Sequence, residues 1–214
     1  MNFREITAGG IAPGVLYRSS SPIDPRQGER RFVADALLRR TGIATVVNTA
    51  DCRLRFRSFA GYRDTYYARL DATDQVALNM GHSYASEAFL EDMGNGLDFI
   101  SERPGPYLIH GTEGIERTGY LCMVLEALMG ASKEELLADY LRSYEEYCRV
   151  EPYTAPWRVA RAEAISNLLT FTGAADEAAL DSMDLAAATR TYLLEKVGLS
   201  EVQIDLIVAH LSKK

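Results

Sequence analysis

The sequence predicts an α/β fold in which a central, mostly parallel sheet is flanked by helices and followed by a helical C-terminal portion. Strand and helix patterns alternate along the first half of the chain, whereas helical patterns dominate from about residue 118. The apolar, β-branched run over residues 43–48 is typical of a strand covered on both faces, as in a parallel sheet. The chain has 214 residues, and at roughly 150 residues per domain it is expected to form one large domain over 1–214.

Four strands are expected from short apolar or β-branched runs that turn residues separate. They cover residues 15–18, 43–48, 64–70 and 107–110. The helix expected over 31–40 has apolar residues at helical spacing, and Gly42 would end it as a C-cap. The next helix would begin after Ser86, a favoured N-cap residue, and end before the Pro-Gly-Pro stretch over 104–106.

The remaining expected elements are helices. They cover residues 118–129, a segment that begins at Ser132, and residues 156–170, 184–197 and 200–211. Two of these helices begin with a capping box, in which a serine is followed three residues later by Glu or Gln: Ser132 with Glu135, and Ser200 with Gln203. The C-terminal portion is therefore expected to pack as helices beside the sheet.

The composition excludes several functions. The net charge of −7 argues against nucleic-acid binding, because that function needs a basic face. Three cysteines, an odd and sparse count, predict reduced thiols and a cytoplasmic protein. No stretch approaches the ~20 apolar residues of a membrane helix, and the first residues contain no signal-peptide core. A secreted protein whose signal peptide has been removed is the alternative that stays open.

The most informative segment runs from Tyr107 to Gly119. A buried strand leads directly into a compact loop, and the loop leads directly into an apolar helix. This order directs backbone N–H groups and the positive end of a helix dipole into one concavity, which is an anion site. Arg117, where the loop becomes the helix, can bind two oxygens of a phosphate group at once. Gly114 would permit the tight turn and close approach of the backbone to a ligand.

This segment resembles the signature His-Cys-x5-Arg-[Ser/Thr]-Gly of the cysteine-dependent protein tyrosine phosphatase superfamily. It is more closely similar to the bacterial tyrosine and phosphoinositide phosphatases, whose loop reads His-Cys-Thr-x-Gly-Lys-Asp-Arg. The positions that fit are His110, Thr112, Glu113, Gly114, Arg117, Thr118 and Gly119. Three positions differ from the pattern: Gly111 replaces Cys, Ile115 replaces Lys, and Glu116 replaces Asp. The stretches over 13–20, 48–51, 128–132 and 139–140 are also similar to that family.

The resemblance implies a phosphatase-like fold and a phosphomonoester hydrolase that uses a phosphate-binding loop, or P-loop. Residues 112–117 would bind phosphate, mainly through backbone N–H groups and the Arg117 side chain, while His110 and Thr118 would order the loop. Gly111 occupies the position of the nucleophilic cysteine, so no phosphocysteine can form there. Loss of a nucleophile costs roughly 10⁶-fold in turnover, by analogy with a protease.

The identity of a general acid stays open. Glu116 stands where relatives have an acidic aspartate, and it could inherit that role or act on water. The alternative is a helix N-terminal carboxylate that stabilises the dipole. Asp71, Asp74 and Asp92 precede the loop, where other branches of the superfamily place a mobile acid. No cofactor or metal is predicted.

Three neighbouring features are ambiguous in the sequence. Arg18 and Ser19 lie near the pocket or belong to a solvated turn. Cys52 is interpreted as an incidental loop thiol rather than a nucleophile. The basic stretch over 53–57 either adds positive potential to the mouth of the site or is a solvated loop.

Three functional hypotheses follow. The chain is a hydrolase domain for phosphotyrosine or phosphoinositides that Gly111 impairs, a natural pseudophosphatase that binds phosphoesters in a regulatory role, or a helical scaffold without a pocket. Gly111 is either natural or a deliberate inactivation of an active parent, and Ile115 favours the natural origin. The expected partners are a phosphorylated protein, a phosphoinositide or a small phosphoester, with no nucleic acid and no membrane span. The oligomeric state is not predicted.

Overall fold

A computed structural model describes residues 2–70 and 74–212 and confirms the α/β fold. Its strands form one sheet in the order β1-β2-β5-β3-β4. The strands are β1 (Arg4–Ile6), β2 (Leu16–Ser19), β3 (Thr45–Asn48), β4 (Gln75–Ala77) and β5 (Tyr107–His110). β1 pairs antiparallel with β2, and every other neighbouring pair in the sheet is parallel. The predicted mostly parallel sheet is therefore correct.

Helices flank this sheet and dominate the C-terminal portion. They are α1 (Arg30–Thr41), α2 (Arg53–Arg57), α3 (Glu87–Ser101), α4 (Glu116–Leu128), α5 (Lys133–Ser143), α6 (Ala155–Thr172), α7 (Glu177–Leu180), α8 (Leu185–Tyr192) and α9 (Glu201–Leu211). The predicted caps are confirmed: Gly42 ends α1 with a φ of 68°, and Ser86 accepts a hydrogen bond from the Phe89 amide. Both predicted capping boxes, at Ser132 and Ser200, are also formed. Within the described residues, no helix combines the length and apolarity needed to cross a bilayer.

The core surrounds β5 and α4. Every residue of β3 and β5 is buried, as is every residue of α4 from Thr118 to Leu128. α4 packs against α5, α6 and α8, and a helix that is apolar all round belongs in such an interior. The start of α4, which follows the predicted anion-binding loop, is therefore fixed by packing on several sides.

The predicted strand over 64–70 is wrong. This segment instead forms two short 3₁₀ helices, Tyr62–Asp64 and Tyr67–Arg69. The Asp35 carboxylate accepts hydrogen bonds from the Tyr66 and Tyr67 amides at 2.8 and 2.9 Å. These amides are therefore bonded to a side chain of α1 rather than to a neighbouring strand, which is why the aromatic-rich pattern did not produce a strand.

Two further expectations need correction. The basic stretch over 53–57 is not a loop but the helix α2, and the guanidinium of its Arg53 donates a 2.6 Å hydrogen bond to the Gln75 carbonyl. α4 begins at Glu116, two residues before the predicted start. Arg117 therefore belongs to the first turn of the helix.

Candidate functional site

The loop between β5 and α4 lies at the carboxyl edge of the sheet. Because β2 and β3 run parallel to β5 on either side, Ser19 and Asn48 are both in register with His110. The segments that follow those two strands are thereby brought beside the loop. A cavity of about 200 Å³ opens there. Its lining consists of loop and helix residues 111–118 together with Arg26, Thr49 and His82.

Gly114 is required by the shape of the loop. Its φ is 72°, in the left-handed region that favours glycine. A Cβ atom at this position would also lie 2.1 Å from the Ser19 carbonyl oxygen, which no side chain could tolerate. The loop can therefore pack against the end of β2 only because residue 114 has no side chain.

Arg117 lines the cavity and is tied to the neighbouring backbone. Its Nη1 donates a hydrogen bond of 2.7 Å to the Met80 carbonyl. Burial lowers the pKa of this half-buried guanidinium from its ordinary value, but an arginine side chain stays charged in proteins. The cavity therefore has a fixed positive charge at the start of α4, where the helix dipole has the same sign.

The side of the loop that faces away from the cavity is held by buried side chains. Arg18 is completely buried, and its Nη2 donates to the carbonyls of Gly114 and Ile115 at 2.9 and 3.2 Å. The Asn2 amide donates a 2.7 Å hydrogen bond to the same Gly114 carbonyl. We call Asn2, Arg4, Arg18 and Asp139 the rear clamp. Arg18 is thus behind the loop and does not belong to a solvated turn.

Asp139 fixes the two arginines of the rear clamp. Its two carboxylate oxygens pair with Arg18 Nη1 at 2.5 Å and with Arg4 Nε at 2.8 Å. Burial alone would raise the pKa of Asp139, but the charges of Arg18 and Arg4 outweigh burial and lower it to about 2. Burial, followed by the nearby charge of Asp139, raises the pKa of the buried Glu126 well above its ordinary value. The rear clamp therefore contains an ionised Asp139 whose charge is shared by two guanidinium groups.

His110 connects the loop to the 3₁₀ segment. Its ring is completely buried, with Nδ1 at 3.3 Å from the Gly111 carbonyl and Nε2 at 3.0 Å from the Tyr67 hydroxyl. Since a carbonyl can only accept, Nδ1 carries the proton, and Nε2 accepts from Tyr67. Burial lowers the pKa of His110 to about 4, so the ring is neutral at physiological pH. Sequence reasoning missed Tyr67, because the segment that carries it was predicted as a strand.

The floor of the cavity contains two hydroxyl groups close to Gly111. Thr49 and Thr118 are both buried residues of the lining, and their Oγ1 atoms are 3.3 Å apart. The Thr49 hydroxyl also donates to the His110 carbonyl at 3.0 Å. A Cβ atom added to Gly111 would lie 2.9 Å from Thr118 Oγ1 and 3.0 Å from Thr49 Oγ1. The space beside Gly111 is thus bounded by hydroxyl oxygens.

The structure distinguishes Glu116 from the other candidate general acids by its position at the cavity. Glu116 is exposed at the rim of the cavity, where its Oε2 lies 3.2 Å from His82 Nδ1. Asp74 and Asp92 are not among the described residues that line the cavity, and Asp71 lies outside the described residues. Among the four candidates, only Glu116 is therefore seen at the cavity.

A second arginine at the cavity was missed by sequence reasoning. Arg26 lines the cavity, and its Nη2 lies 3.4 Å from Thr112 Oγ1. Its guanidinium also pairs with the buried Asp24 at 2.5 Å. No motif in the sequence indicates this position, since a turn between β2 and α1 brings it to the loop. Arg26 is less available to an anion than Arg117, because Asp24 already neutralises much of its charge.

The rim also carries negative charge. Glu113 and Glu116 are exposed residues of the lining. Asp51, which follows β3, is buried and is not among the described residues that line the cavity; its Oδ1 lies 3.3 Å from Arg55 Nε on α2. Burial raises the pKa of Asp51 from its ordinary value. The site therefore combines fixed donors at its base with carboxylates at its edge.

A mostly parallel sheet whose central strand leads through a short, glycine-containing loop into a buried helix defines a phosphatase-like α/β protein. Residues 60–213 match the model of the tyrosine phosphatase family. This range covers more than half of the chain and includes the whole loop, so the chain belongs to the tyrosine phosphatase family. A comparison with curated proteins found no match.

Proposed function

We propose that this chain binds phosphate monoesters in the loop over 111–117 and is catalytically impaired as a hydrolase. The observation that carries the proposal is the composition of the cavity: residues 111–118 line it, Arg117 among them, while Gly111 occupies the position of the nucleophile. A chain with that lining can bind a phosphate group without being able to form a covalent bond to it.

The loop supplies the attraction that a phosphate monoester needs. Backbone N–H groups at the start of α4 and the positive end of its dipole favour an anion, and the Arg117 guanidinium adds a full charge. Phosphotyrosine in a protein, a phosphoinositide headgroup and a small phosphoester all carry the same group. We propose these three classes as ligands.

Turnover is expected to be very weak. Without a thiolate at position 111 no phosphoenzyme intermediate can form, and the corresponding loss in a protease is roughly 10⁶-fold. Positioned donors and a charge can still favour direct attack by water. Glu116 is the carboxylate that could activate such a water molecule, because it lies at the cavity rim.

The alternative function, a regulatory pseudophosphatase, is favoured by Ile115. This residue replaces the lysine of the similar loops, and its side chain is buried with 4% exposure. An apolar side chain in that position removes a positive charge that would help a hydrolase. A double variant, Gly111→Cys with Ile115→Lys, discriminates between the two: strong turnover of an aryl phosphate would identify an impaired hydrolase, and its absence would favour the binding module.

Titration with inorganic phosphate by calorimetry tests the proposed function. We expect saturable binding that Arg117→Ala weakens at least tenfold, since hydrogen bonds between charged groups contribute about 1.5–3 kcal/mol. Arg158→Ala is the matched control, because Arg158 is exposed on α6 and outside the cavity lining. Absence of phosphate binding, or equal affinity of the Arg117 and Arg158 variants, would rule out the proposal.

A further inference from the structure

Charge is distributed unevenly along the chain. Residues 26–69 contain ten arginines and four acidic residues, a net charge of +6, whereas the whole chain has a net charge of −7. The residues outside this range therefore carry a net charge of −13. We call the helices and turns of residues 26–69 the basic layer.

The basic layer lies on one face of the sheet. Val46 of β3 and Leu108 of β5 are in register, and they share a buried apolar cluster with Leu38 of α1 and Phe56 of α2. The next residue of each strand points to the opposite face and belongs to the core formed with α3 and the C-terminal helices. The sheet therefore separates the basic layer from the helices that dominate the acidic remainder of the chain.

The outer surface of the basic layer combines guanidinium groups with apolar side chains. Nine of its ten arginines are exposed. Three large apolar side chains of this layer are exposed as well: Phe32 at 57%, Val33 at 50% and Leu54 at 86%. Leu54 lies on α2 between Arg53 and Arg55, both of which are exposed. Basic side chains that surround exposed apolar ones are the combination that binds the interface of an anionic bilayer.

The start of α1 and the end of α2 are neighbours. Arg31 Nη1 donates a 2.9 Å hydrogen bond to the carbonyl of Ala60, which comes three residues after α2, and its guanidinium lies 4.6 Å from the centre of the Phe32 ring. α2 itself begins four residues after Thr49, which lines the cavity, and Arg26 of the basic layer lines it too. The exposed surface of α2 is therefore close to the mouth of the cavity.

We propose that the basic layer docks this protein on a bilayer rich in anionic phospholipid, with Leu54 inserted at the headgroup boundary and guanidinium groups on lipid phosphates. Arginine suits this role because its guanidinium binds two phosphate oxygens at once. The same surface would repel the acidic remainder of the chain, so the basic layer and the nearby mouth of the cavity would face the lipid. The inference goes beyond the proposed function and does not depend on phosphate binding in the cavity.

The exposed apolar side chains favour a bilayer over other acidic partners. A nucleic acid would contact the guanidinium groups through its phosphates, but it would leave an aliphatic side chain such as Leu54 in water. An acidic protein would need a pocket that receives Leu54, whereas a bilayer has an apolar interior beneath its anionic headgroups over its whole surface. An acidic protein and a nucleic acid are therefore the competing outcomes of the test.

Sedimentation with vesicles tests the docking. Vesicles of equal parts phosphatidylserine and phosphatidylcholine, without phosphoinositide, should bind the unmodified chain at about 0.1 M salt. They should release it at about 1 M salt, where the Debye length falls from about 10 Å to about 3 Å. Vesicles of phosphatidylcholine alone should not bind the chain.

Two double variants of equal charge test which arginines hold the vesicle. Arg57→Gln with Arg63→Gln should weaken binding at least tenfold, since each basic residue near an anionic surface contributes about fivefold. Arg142→Gln with Arg158→Gln is the matched control, because both residues are exposed outside the basic layer and the net charge changes equally. This control should alter binding by less than about twofold, since it leaves the charge next to the lipid intact.

Fluorescence tests the position of Leu54. Leu54→Trp should show a blue shift in emission when anionic vesicles are added, beyond that of the unmodified chain with its single tryptophan, because tryptophan favours the bilayer interface. Val202→Trp is the matched control, since Val202 is 68% exposed on α9, outside the basic layer. Leu54→Ala should weaken vesicle binding at least fivefold, since each buried CH₂ group contributes about fourfold.

Each outcome supports or overturns the inference. No binding to anionic vesicles, equal binding to both kinds of vesicle, or equal losses in the two double variants would overturn it. Polyglutamate or RNA binding that Leu54→Ala leaves unchanged, with no greater vesicle-induced shift in Leu54→Trp than in Val202→Trp, would assign the basic layer to an acidic protein or a nucleic acid instead.

The proposed function fails or holds separately. Absence of phosphate binding in the calorimetric titration would remove the proposed function but would leave the vesicle result standing. If Arg117→Ala weakened vesicle binding as much as the double variant of Arg57 and Arg63, the cavity rather than the basic layer would hold the lipid, and the docking surface would be overturned.

Discussion

The two sides of the loop between β5 and α4 differ in what holds them. On the side away from the cavity, Arg18 and Asn2 donate hydrogen bonds to carbonyls of the loop, and both are completely buried. On the cavity side, Gly111 has no side chain, and Glu116 is exposed to solvent. The residues that depart from the family pattern at Gly111 and Glu116 thus lie at the cavity, while the supporting side chains come from other segments.

This difference teaches that the shape of the loop between β5 and α4 can be held by side chains other than the one at position 111. The loop carbonyls are satisfied by side chains that are distant in sequence, and satisfied buried polar groups specify one conformation. A change at Gly111 affects what the cavity can do, whereas a change in the rear clamp affects whether the cavity exists. The two sides should therefore respond differently to substitution.

The largest expected effect comes from Arg18→Met. The substitution removes a buried cation that pairs with Asp139 and bonds to the Gly114 and Ile115 carbonyls. Removal of one partner from a buried ion pair costs about 3–5 kcal/mol, so we expect a loss of that size in the free energy of unfolding. Urea denaturation followed by circular dichroism measures it.

A surface arginine provides the control for Arg18. Arg142 pairs with Glu146 one helical turn away at 2.7 Å, and its side chain is 58% exposed. Such pairs contribute about 0.3–0.5 kcal/mol, so Arg142→Met should be nearly neutral. Equal stabilities for the two methionine variants would show that the rear clamp does not support the fold.

The next effect is a loss of stability on acidification through His110. Because its folded pKa is lowered to about 4 from the ordinary 6.5, the unfolded chain binds more protons between these values. The contribution of His110 to the free energy of unfolding is fully present above pH 6.5. It is lost as the pH falls to about 4, which lowers the free energy of unfolding by up to about 3 kcal/mol. Because the raised pKa of Glu126 acts with the opposite sign in this range, the contribution of His110 is measured as the difference in slope between the unmodified chain and His110→Gln, by urea denaturation at a series of pH values.

His110→Gln should remove this contribution between pH 6.5 and 4, since glutamine does not titrate. Asp139 acts only at lower pH: its folded pKa is lowered to about 2, so its contribution is lost below its ordinary value of 3.8. A pH dependence between 6.5 and 4 that is unchanged in His110→Gln would mean that another group is responsible.

The sequence was sufficient for the elements that local pattern determines. The central strands β3 and β5 are short apolar runs. Helices α5 and α9 begin at capping boxes, each of which is predicted from two residues of the sequence. The order of strand, loop and helix was also predictable, because residues 107–119 form one continuous segment. These features need no knowledge of distant parts of the chain.

The rear clamp and the cavity walls could not be predicted in the same way. The contact from Arg18 to Asp139 spans 121 residues, and the contact from Asn2 to Gly114 spans 112. Tyr67 lies in a segment that was wrongly predicted as a strand. Its amide donates to the carboxylate of Asp35 on α1 instead of to a neighbouring strand. Partners of this kind are decided by tertiary packing, which a single sequence does not display.

The smallest effect is expected from Glu116→Gln, which changes a residue on the cavity side of the loop only. Glu116 is exposed at the rim, and exposed substitutions usually alter the free energy of unfolding by less than about 0.5 kcal/mol. Removal of a negative charge several ångströms from a bound anion in a solvated setting should nevertheless lower the phosphate Kd by about twofold. Calorimetric titration measures this gain, with Glu151→Gln as a control because Glu151 is exposed outside the cavity lining. If Glu116→Gln destabilised the chain as much as Arg18→Met, the cavity side would be part of the support of the loop, and the division between its two sides would be wrong.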